Sequence, residues 1–205
     1  MRIPFPINII VNFFIQFLVF AIPISIVYFI YRAKRYGKAS LVKPDFIANY
    51  LFSLYIFLVL YVTFLIKLPN AVSQMIREGV VNYSTYYHVN LTPFADLPEL
   101  IAQHGSRGIS GILYIIACTF GMSFLYLPLG VGLTLIKNIK PHIALPICAA
   151  APIVIELLQL VVRLSTDIDD VIFALPGALL GVLIGVLIRS AFPAFASGIS
   201  GKPAA

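Results

Sequence analysis

The chain of 205 residues has little charge, two cysteines and no tryptophan. Charged residues make up 11% of it, whereas a soluble domain contains about 25%, and its mean hydropathy is +0.99. These values exclude a soluble globular domain. Cys118 and Cys148 lie inside apolar runs without metal or redox spacing, so the sequence predicts neither a disulfide framework nor a metal centre, and we expect no cofactor.

The chain also lacks the usual signatures of catalysis and nucleotide binding. His88, His104 and His142 are scattered, and no Ser/His/Asp or Cys/His set accompanies them. No glycine-rich phosphate loop is present. In a soluble protein, a net charge of +6 would suggest a nucleic-acid partner. In so apolar a chain, an excess of basic residues is typical of cytoplasmic loops. We therefore predict no nucleic-acid partner.

Long apolar segments dominate what is present. A spanning helix needs about 20 apolar residues, and the sequence predicts an all-α, polytopic membrane helix bundle of about five transmembrane helices. The bilayer is then the first partner. A single membrane domain is expected over residues 1–192, followed by a short disordered tail at 193–205, rich in Ala, Gly, Ser and Pro. The predicted spans are 7–31, 46–66, 109–136, 143–162 and 168–188.

The basic residues predict an orientation. Cytoplasmic loops carry an excess of Lys and Arg, which places the amino terminus outside and the carboxyl terminus inside. Nine of the 14 basic residues then lie inside: Arg32, Lys34, Arg35, Lys38, Lys43, Lys137, Lys140, Arg189 and Lys202.

Polar side chains interrupt the fourth span near its predicted outer end. Glu156, Gln159 and Arg163 follow one another at i, i+3 and i+7, which places them on one helical face. Lipid cannot satisfy such a face. It therefore lines an outward-opening polar pocket, or it forms a structural cluster of ion pairs and hydrogen bonds between helices.

Three carboxylates open the fifth span. Thr166 and Asp169 have the spacing of a capping box, and acids suit the first turn of a helix. One cap, however, does not require Asp167, Asp169 and Asp170 together. Such a cluster could hold a hard cation, bind the cationic head of a ligand, or pair with Arg163. Because no metal-ligand spacing accompanies it, we predict no metal.

Two further motifs belong to this description. Asn90, Pro93 and Phe94 lie in a predicted outer turn, where the proline forces its predecessor towards an extended conformation, and we include them among the pocket residues. Gly177, Gly181 and Gly185 form a small-residue ridge on the fifth span. Such a ridge packs closely against another helix, and an oligomer could form through it.

Five pieces of the sequence together resemble the VanZ-like family of bacterial membrane proteins, over about residues 90–185. The resemblance implies a multi-pass protein of the bacterial plasma membrane with a role in the cell envelope. The founding member carries low-level resistance to the lipoglycopeptide antibiotic teicoplanin, so the same role is implied here. The pieces are 90–94, 127–130, 155–159, 167–172 and 177–181.

The chain departs from the family pattern at several positions. The family usually has Asn where Met122 and Ala174 stand, and Phe where Tyr126 stands. Val162 replaces a glycine that precedes the family's arginine. The two missing asparagines imply that part of a shared polar network is absent, and the ligand could differ accordingly.

Two functions are favoured over a third, a small transporter, because five helices without an inverted repeat suit alternating access poorly unless the protein oligomerises. The preferred one of the two is a non-catalytic membrane factor whose outward pocket, built around the acids and Arg163, binds an amphiphile such as a lipoglycopeptide antibiotic or a cell-wall lipid intermediate. The alternative is a membrane-embedded enzyme acting on an envelope lipid or cell-wall precursor. In that case Glu156 or Asp170 would act as general acid and base, with Arg163 steadying an anionic group.

Overall fold

The computed structural model describes residues 5–69, 72–73, 76–77, 89–162 and 164–201. Within these residues the chain is almost entirely helical. Short 3₁₀ segments lie at Lys38–Val42 and Gly105–Arg107, and π-helical turns extend two helices at Tyr61–Leu65 and Gly132–Ile136. The helices are α1 (Phe5–Tyr36), α2 (Pro44–Leu60), α3 (Leu97–His104), α4 (Gly108–Val131), α5 (Pro141–Val161), α6 (Ile168–Ala191) and α7 (Pro193–Ser200), and the two-residue strands are β1 (Val89–Asn90) and β2 (Thr166–Asp167).

Five of the described helices are long and apolar enough to cross a membrane. Large apolar side chains such as Val27 and Phe124 are exposed on them, as expected of surfaces that face lipid. Pro44 and Pro141 lie in the first turns of α2 and α5, where the missing amide hydrogen costs nothing. The predicted all-α membrane bundle is therefore confirmed. The orientation of its termini stays a prediction.

The tightest helix packing joins α4 to α6. A Cβ atom added at Gly177 would collide with the carbonyl of Ser123, and one at Gly181 with the carbonyl of Leu127. Gly185 is buried one turn further along. The ridge therefore packs closely, as its spacing indicates, but the partner is α4 of the same chain. An oligomer contact through these glycines stays a prediction.

The tail differs from its prediction. Instead of being disordered from the start, it forms α7 over Pro193–Ser200 and packs against α2. Ala196 is buried in this contact, and Gly201 ends the helix with a left-handed φ of 65°. A proline at the start and a glycine after the end are ordinary helix boundaries. The sequence therefore already contained the boundaries of this helix, Pro193 and Gly201.

The end of the bundle at which α5 ends and α6 begins carries Asp167, Asp169 and Asp170, and we call it the acidic end. The π-helical turn after α2 reaches the same end, because its Thr63 carbonyl accepts a hydrogen bond from α5. Helix α3 and strand β1 lie there as well.

Candidate functional site at the acidic end

A parallel pair of two-residue strands organises the acidic end. Val89 is paired with Thr166, and Asn90 with Asp167. The Asn90 side chain reinforces the pairing, since its amide nitrogen donates to Asp167 Oδ1 at 3.2 Å. The strands therefore hold the turn that follows Asn90 against the first turn of α6, although the two segments are far apart in sequence.

The turn at 90–94 is shaped to meet α6. Asn90 Oδ1 accepts a hydrogen bond from the amide of Thr92 at 3.0 Å. After Pro93, Phe94 adopts a left-handed φ of 61°, and its amide donates to Asp169 Oδ1 at 2.8 Å. The Phe94 ring contacts the Phe173 ring, with centroids 5.8 Å apart. The predicted residues Asn90, Pro93 and Phe94 are thus adjacent to the acids.

Asp167 is the N-cap of α6. Its Oδ1 accepts a hydrogen bond from the amide of Asp169 at 2.9 Å, which satisfies one of the unpaired donors in the first helical turn. The predicted capping box that begins at Thr166 is wrong. The Thr166 hydroxyl instead donates to the carbonyl of Leu164 at 3.3 Å, because Thr166 belongs to β2 and its backbone is extended there.

Glu156 and Gln159 join α5 to its neighbours. Glu156 Oε2 accepts from the amide of Asp167 at 3.0 Å. Gln159, which is fully buried, donates to the carbonyl of Thr63 at 3.0 Å. Its Oε1 accepts from Lys67 Nζ at 3.4 Å. Both side chains therefore face protein rather than lipid, as their helical spacing predicts.

Lys67 is a member of this cluster that the sequence analysis missed. It follows the π-helical turn after α2 and acts electrostatically on both Glu156 and Asp170. The available signal was its position just beyond the second span, at the same predicted end as the acids. Arg163, the cation that the sequence analysis did assign to the pocket, lies outside the described residues, and its role stays a prediction.

Asp170 differs from the other acids in that no described residue forms a hydrogen bond with its carboxylate. It lines a cleft of ≈ 330 Å³ between α3, α4 and α6. Asp96 and Glu99, which the sequence analysis did not consider, lie on the α3 side of the cleft. The acids that line it are Asp96, Glu99, Asp167, Asp169 and Asp170, and no basic side chain from the described part of the chain stands among the lining residues.

The chemistry of the cleft suits a hydrogen-bond donor or a cation. Cys118 and Thr119 also line it, and the buried Thr119 hydroxyl has no hydrogen-bond partner among the described residues. In the same part of the chain, no three His, Cys, Asp or Glu side chains converge as metal ligands. The arrangement can therefore bind a polar head by charge and hydrogen bonds.

Comparison with known families matches residues 52–189 to VanZ/LLP1. The chain belongs to the VanZ/LLP1 family. The match runs from α2 almost to the end of α6 and so contains every residue of the acidic end described above. With its five apolar helices, the chain is a multi-pass membrane protein of that family. No curated protein and no solved structure is significantly similar to the chain.

Two departures from the family pattern lie in the core beneath the acidic end. Ala174 is fully buried, and Met122 packs against the same apolar cluster, which also contains Tyr126 and Cys148. In this chain apolar packing therefore occupies the positions at which the family resemblance implies asparagines.

Proposed function

We propose that the acidic end binds the polar head of an amphiphile and that the protein is a non-catalytic factor of the bacterial cell envelope. The observation that carries the proposal is the cleft itself, in which five carboxylates line one cavity and no basic side chain is among the described lining residues. A like-charged cluster of this kind is relieved by a cationic or hydrogen-bond-donating ligand.

The hydrogen bonds divide the acids into two groups. Glu156, Asp167 and Asp169 accept from backbone amides and hold β2, α6 and the turn at 90–94 together. Asp170 accepts from no described residue. We assign the first group a structural role and Asp170 a role in binding the ligand. The structural and the ligand-binding interpretations of the acids therefore both apply, but to different residues.

The family resemblance supplies the biological setting. It supports a location in the bacterial plasma membrane and a role in low-level resistance to lipoglycopeptides of the teicoplanin type. With the predicted orientation, the cleft opens on the outer face. There it is accessible to an antibiotic that carries an acyl chain, or to a cell-wall lipid intermediate.

Antibiotic susceptibility tests this function. A Gram-positive host expressing the chain is expected to tolerate a lipoglycopeptide better than the empty host, with no gain against a glycopeptide that lacks the acyl chain. Asp170→Asn should remove most of the protection, because it removes the charge that no backbone amide of the described residues engages. The matched control is Asp45→Asn, at the start of α2, which should keep the protection at equal expression.

The same cells distinguish a binding factor from an enzyme. If Glu156 or Asp170 acted as an acid or base, envelope lipids or wall precursors would be chemically altered in expressing cells, and Glu156→Gln would abolish the alteration. Unaltered lipids and precursors together with protection support binding. Absence of protection from either drug would contradict the resistance role.

A further inference from the structure

A second cavity lies between α2, α4 and α5 and opens towards lipid. Its volume is ≈ 370 Å³, and its lining is apolar except for Tyr55 and Tyr126. Along α5 it extends from Ile147 to Leu158, a rise of about 16 Å at 1.5 Å per residue. We call this cavity the apolar groove. Its length suits one extended alkyl chain.

The two tyrosines of the groove are not equivalent. The Tyr55 hydroxyl donates to the carbonyl of Leu125 at 2.7 Å. Tyr126 is only 2% exposed, and its hydroxyl has no hydrogen-bond partner in the described part of the chain. Because Tyr126 lines the groove, this hydroxyl is available to a polar atom that enters from the groove.

Tyr126 also connects the groove to the acidic end. It lines the groove together with Ile155, the residue next to Glu156 on α5, and Asp170 lines the acidic cleft. On α4, Tyr126 lies seven residues after Thr119, which returns the helix to nearly the same face two turns further along. The cleft, the unpaired hydroxyl and the groove therefore follow one another along a single face.

The charge around this path is negative. Among the described residues of the acidic end, Lys67 acts on Glu156 and Asp170, and the acids Glu156, Asp167, Asp169 and Asp170 outnumber it. A cationic head would be attracted, whereas a carboxylate or phosphate head would be repelled.

Building on the proposed function, we infer that the amphiphile is an alkylamine-type ligand. One alkyl chain lies in the apolar groove, and its cationic head donates a hydrogen bond to the Tyr126 hydroxyl and places its positive charge near Asp170. The occupant of the groove is thus a chain attached to a cationic head, rather than the acyl chain of an ordinary bilayer lipid.

The absence of tryptophan from the chain allows a direct test by fluorescence quenching. In the full chain reconstituted in phosphatidylcholine vesicles, Ile147→Trp places a reporter at the end of the groove remote from the acids. Leu183→Trp places a control at a similar depth on the lipid-exposed side of α6. The probes are dodecylamine, dodecanoic acid and dodecanol, each brominated at the end of its chain.

Brominated dodecylamine is expected to quench the groove reporter at about tenfold lower concentration than the control reporter, a gap of about 1.4 kcal/mol. The acid and the alcohol should quench both reporters alike. Ala151→Phe, which fills the groove, should abolish the difference, whereas Ala117→Phe on the exposed side of α4 should retain it. Tyr126→Phe should weaken quenching by the amine about fivefold, the effect of one hydrogen bond.

Occupancy of the cleft is measured separately, through protection of Cys118 from maleimide by the same amine without bromine. Cys118 lines the cleft and is exposed, whereas Cys148 is buried. Protection of Cys118 without preferential quenching in the groove would overturn this inference and leave the proposed function standing. Equal quenching by all three probes would show that the groove holds ordinary lipid, and would overturn the inference too. No protection and no quenching would contradict both.

Discussion

At the scale of single residues, the carboxylates of the acidic end differ in what their oxygens contact. Asp167 and Asp169 each accept a backbone amide hydrogen bond, and Asp167 also accepts from Asn90. Asp170 carries the same charge one residue later and faces the cleft without a hydrogen bond from any described residue. Identity and spacing alone do not separate these roles, because the three acids are equivalent until the partners of each are known.

The capping role of Asp167 predicts a stability difference. Asp167→Ala should lower the free energy of unfolding by about 1–2 kcal/mol, because the first turn of α6 loses its cap. Asp167→Asn should retain most of the stability, since an amide oxygen also accepts the hydrogen bond. The measurement is unfolding of the purified protein in mixed detergent micelles.

Asp96 provides the matched control for that experiment. It occupies the N-cap position of α3 but makes no capping hydrogen bond with its side chain. Asp96→Ala should therefore change stability by less than about 0.5 kcal/mol. Equal losses in the two alanine variants would contradict the assignment of Asp167 as a structural residue.

At the scale of helices, close packing of α4 on α6 sets the geometry beneath the site. Gly130 and Gly181 face each other, and a Cβ atom on Gly130 would collide with the backbone of Ala178 and Val182. Two small residues thus let two helix backbones approach closely. The pieces at 127–130 and 177–181, which helped to carry the family resemblance, are the two sides of this contact.

This packing makes a second prediction for stability. Gly181→Ala should destabilise the bundle by about 1–3 kcal/mol, because the backbone of Leu127 lies against the glycine and cannot move aside as a side chain would. Gly121→Ala, on the same α4 helix but with no atom near the added methyl group, should be neutral or slightly stabilising. Unfolding in detergent, followed by the loss of helical circular dichroism, measures both.

Equal stability of the Gly181→Ala and Gly121→Ala variants would contradict the close approach of α4 and α6. The oligomeric state of both variants provides a further check. An oligomer that forms through the glycine ridge would lose apparent mass in detergent on Gly181→Ala but not on Gly121→Ala.

At the scale of the whole molecule, the positive-inside count predicts which way the acidic end faces. Cys118 is exposed in the cleft at that end. A membrane-impermeant maleimide added to intact cells should therefore label Cys118, and Cys118→Ser should abolish the labelling. Lys140→Cys in the Cys118→Ser background, next to the start of α5 at the opposite end, should react only after the cells are opened.

Labelling of Lys140→Cys but not of Cys118 in intact cells would reverse the orientation. It would also remove the outward-facing pocket from the proposed function, because an antibiotic outside the cell could not reach the cleft. The fold and the family would be unaffected, since neither depends on which face is outside.

Local patterns in the sequence were enough to determine the membrane spans, the polar face at Glu156 and Gln159, and the family. Apolar run length and helical periodicity are properties of neighbouring residues, and they need no knowledge of distant contacts. The tail helix at Pro193–Ser200 also had a local signal, a proline at its start and a glycine after its end. Lys67 had one too, since it lies just beyond the end of a predicted span.

Only the tertiary structure decided how these pieces meet. Asn90 forms a hydrogen bond with Asp167, which lies 77 residues later in the chain, and Lys67 forms one with Gln159, 92 residues later. The acids of α3 join the cleft, and Asp167 rather than Thr166 caps α6 because strand pairing sets the backbone just before the helix. Contacts between residues so far apart depend on the packing of whole helices, so no local pattern in the sequence records them.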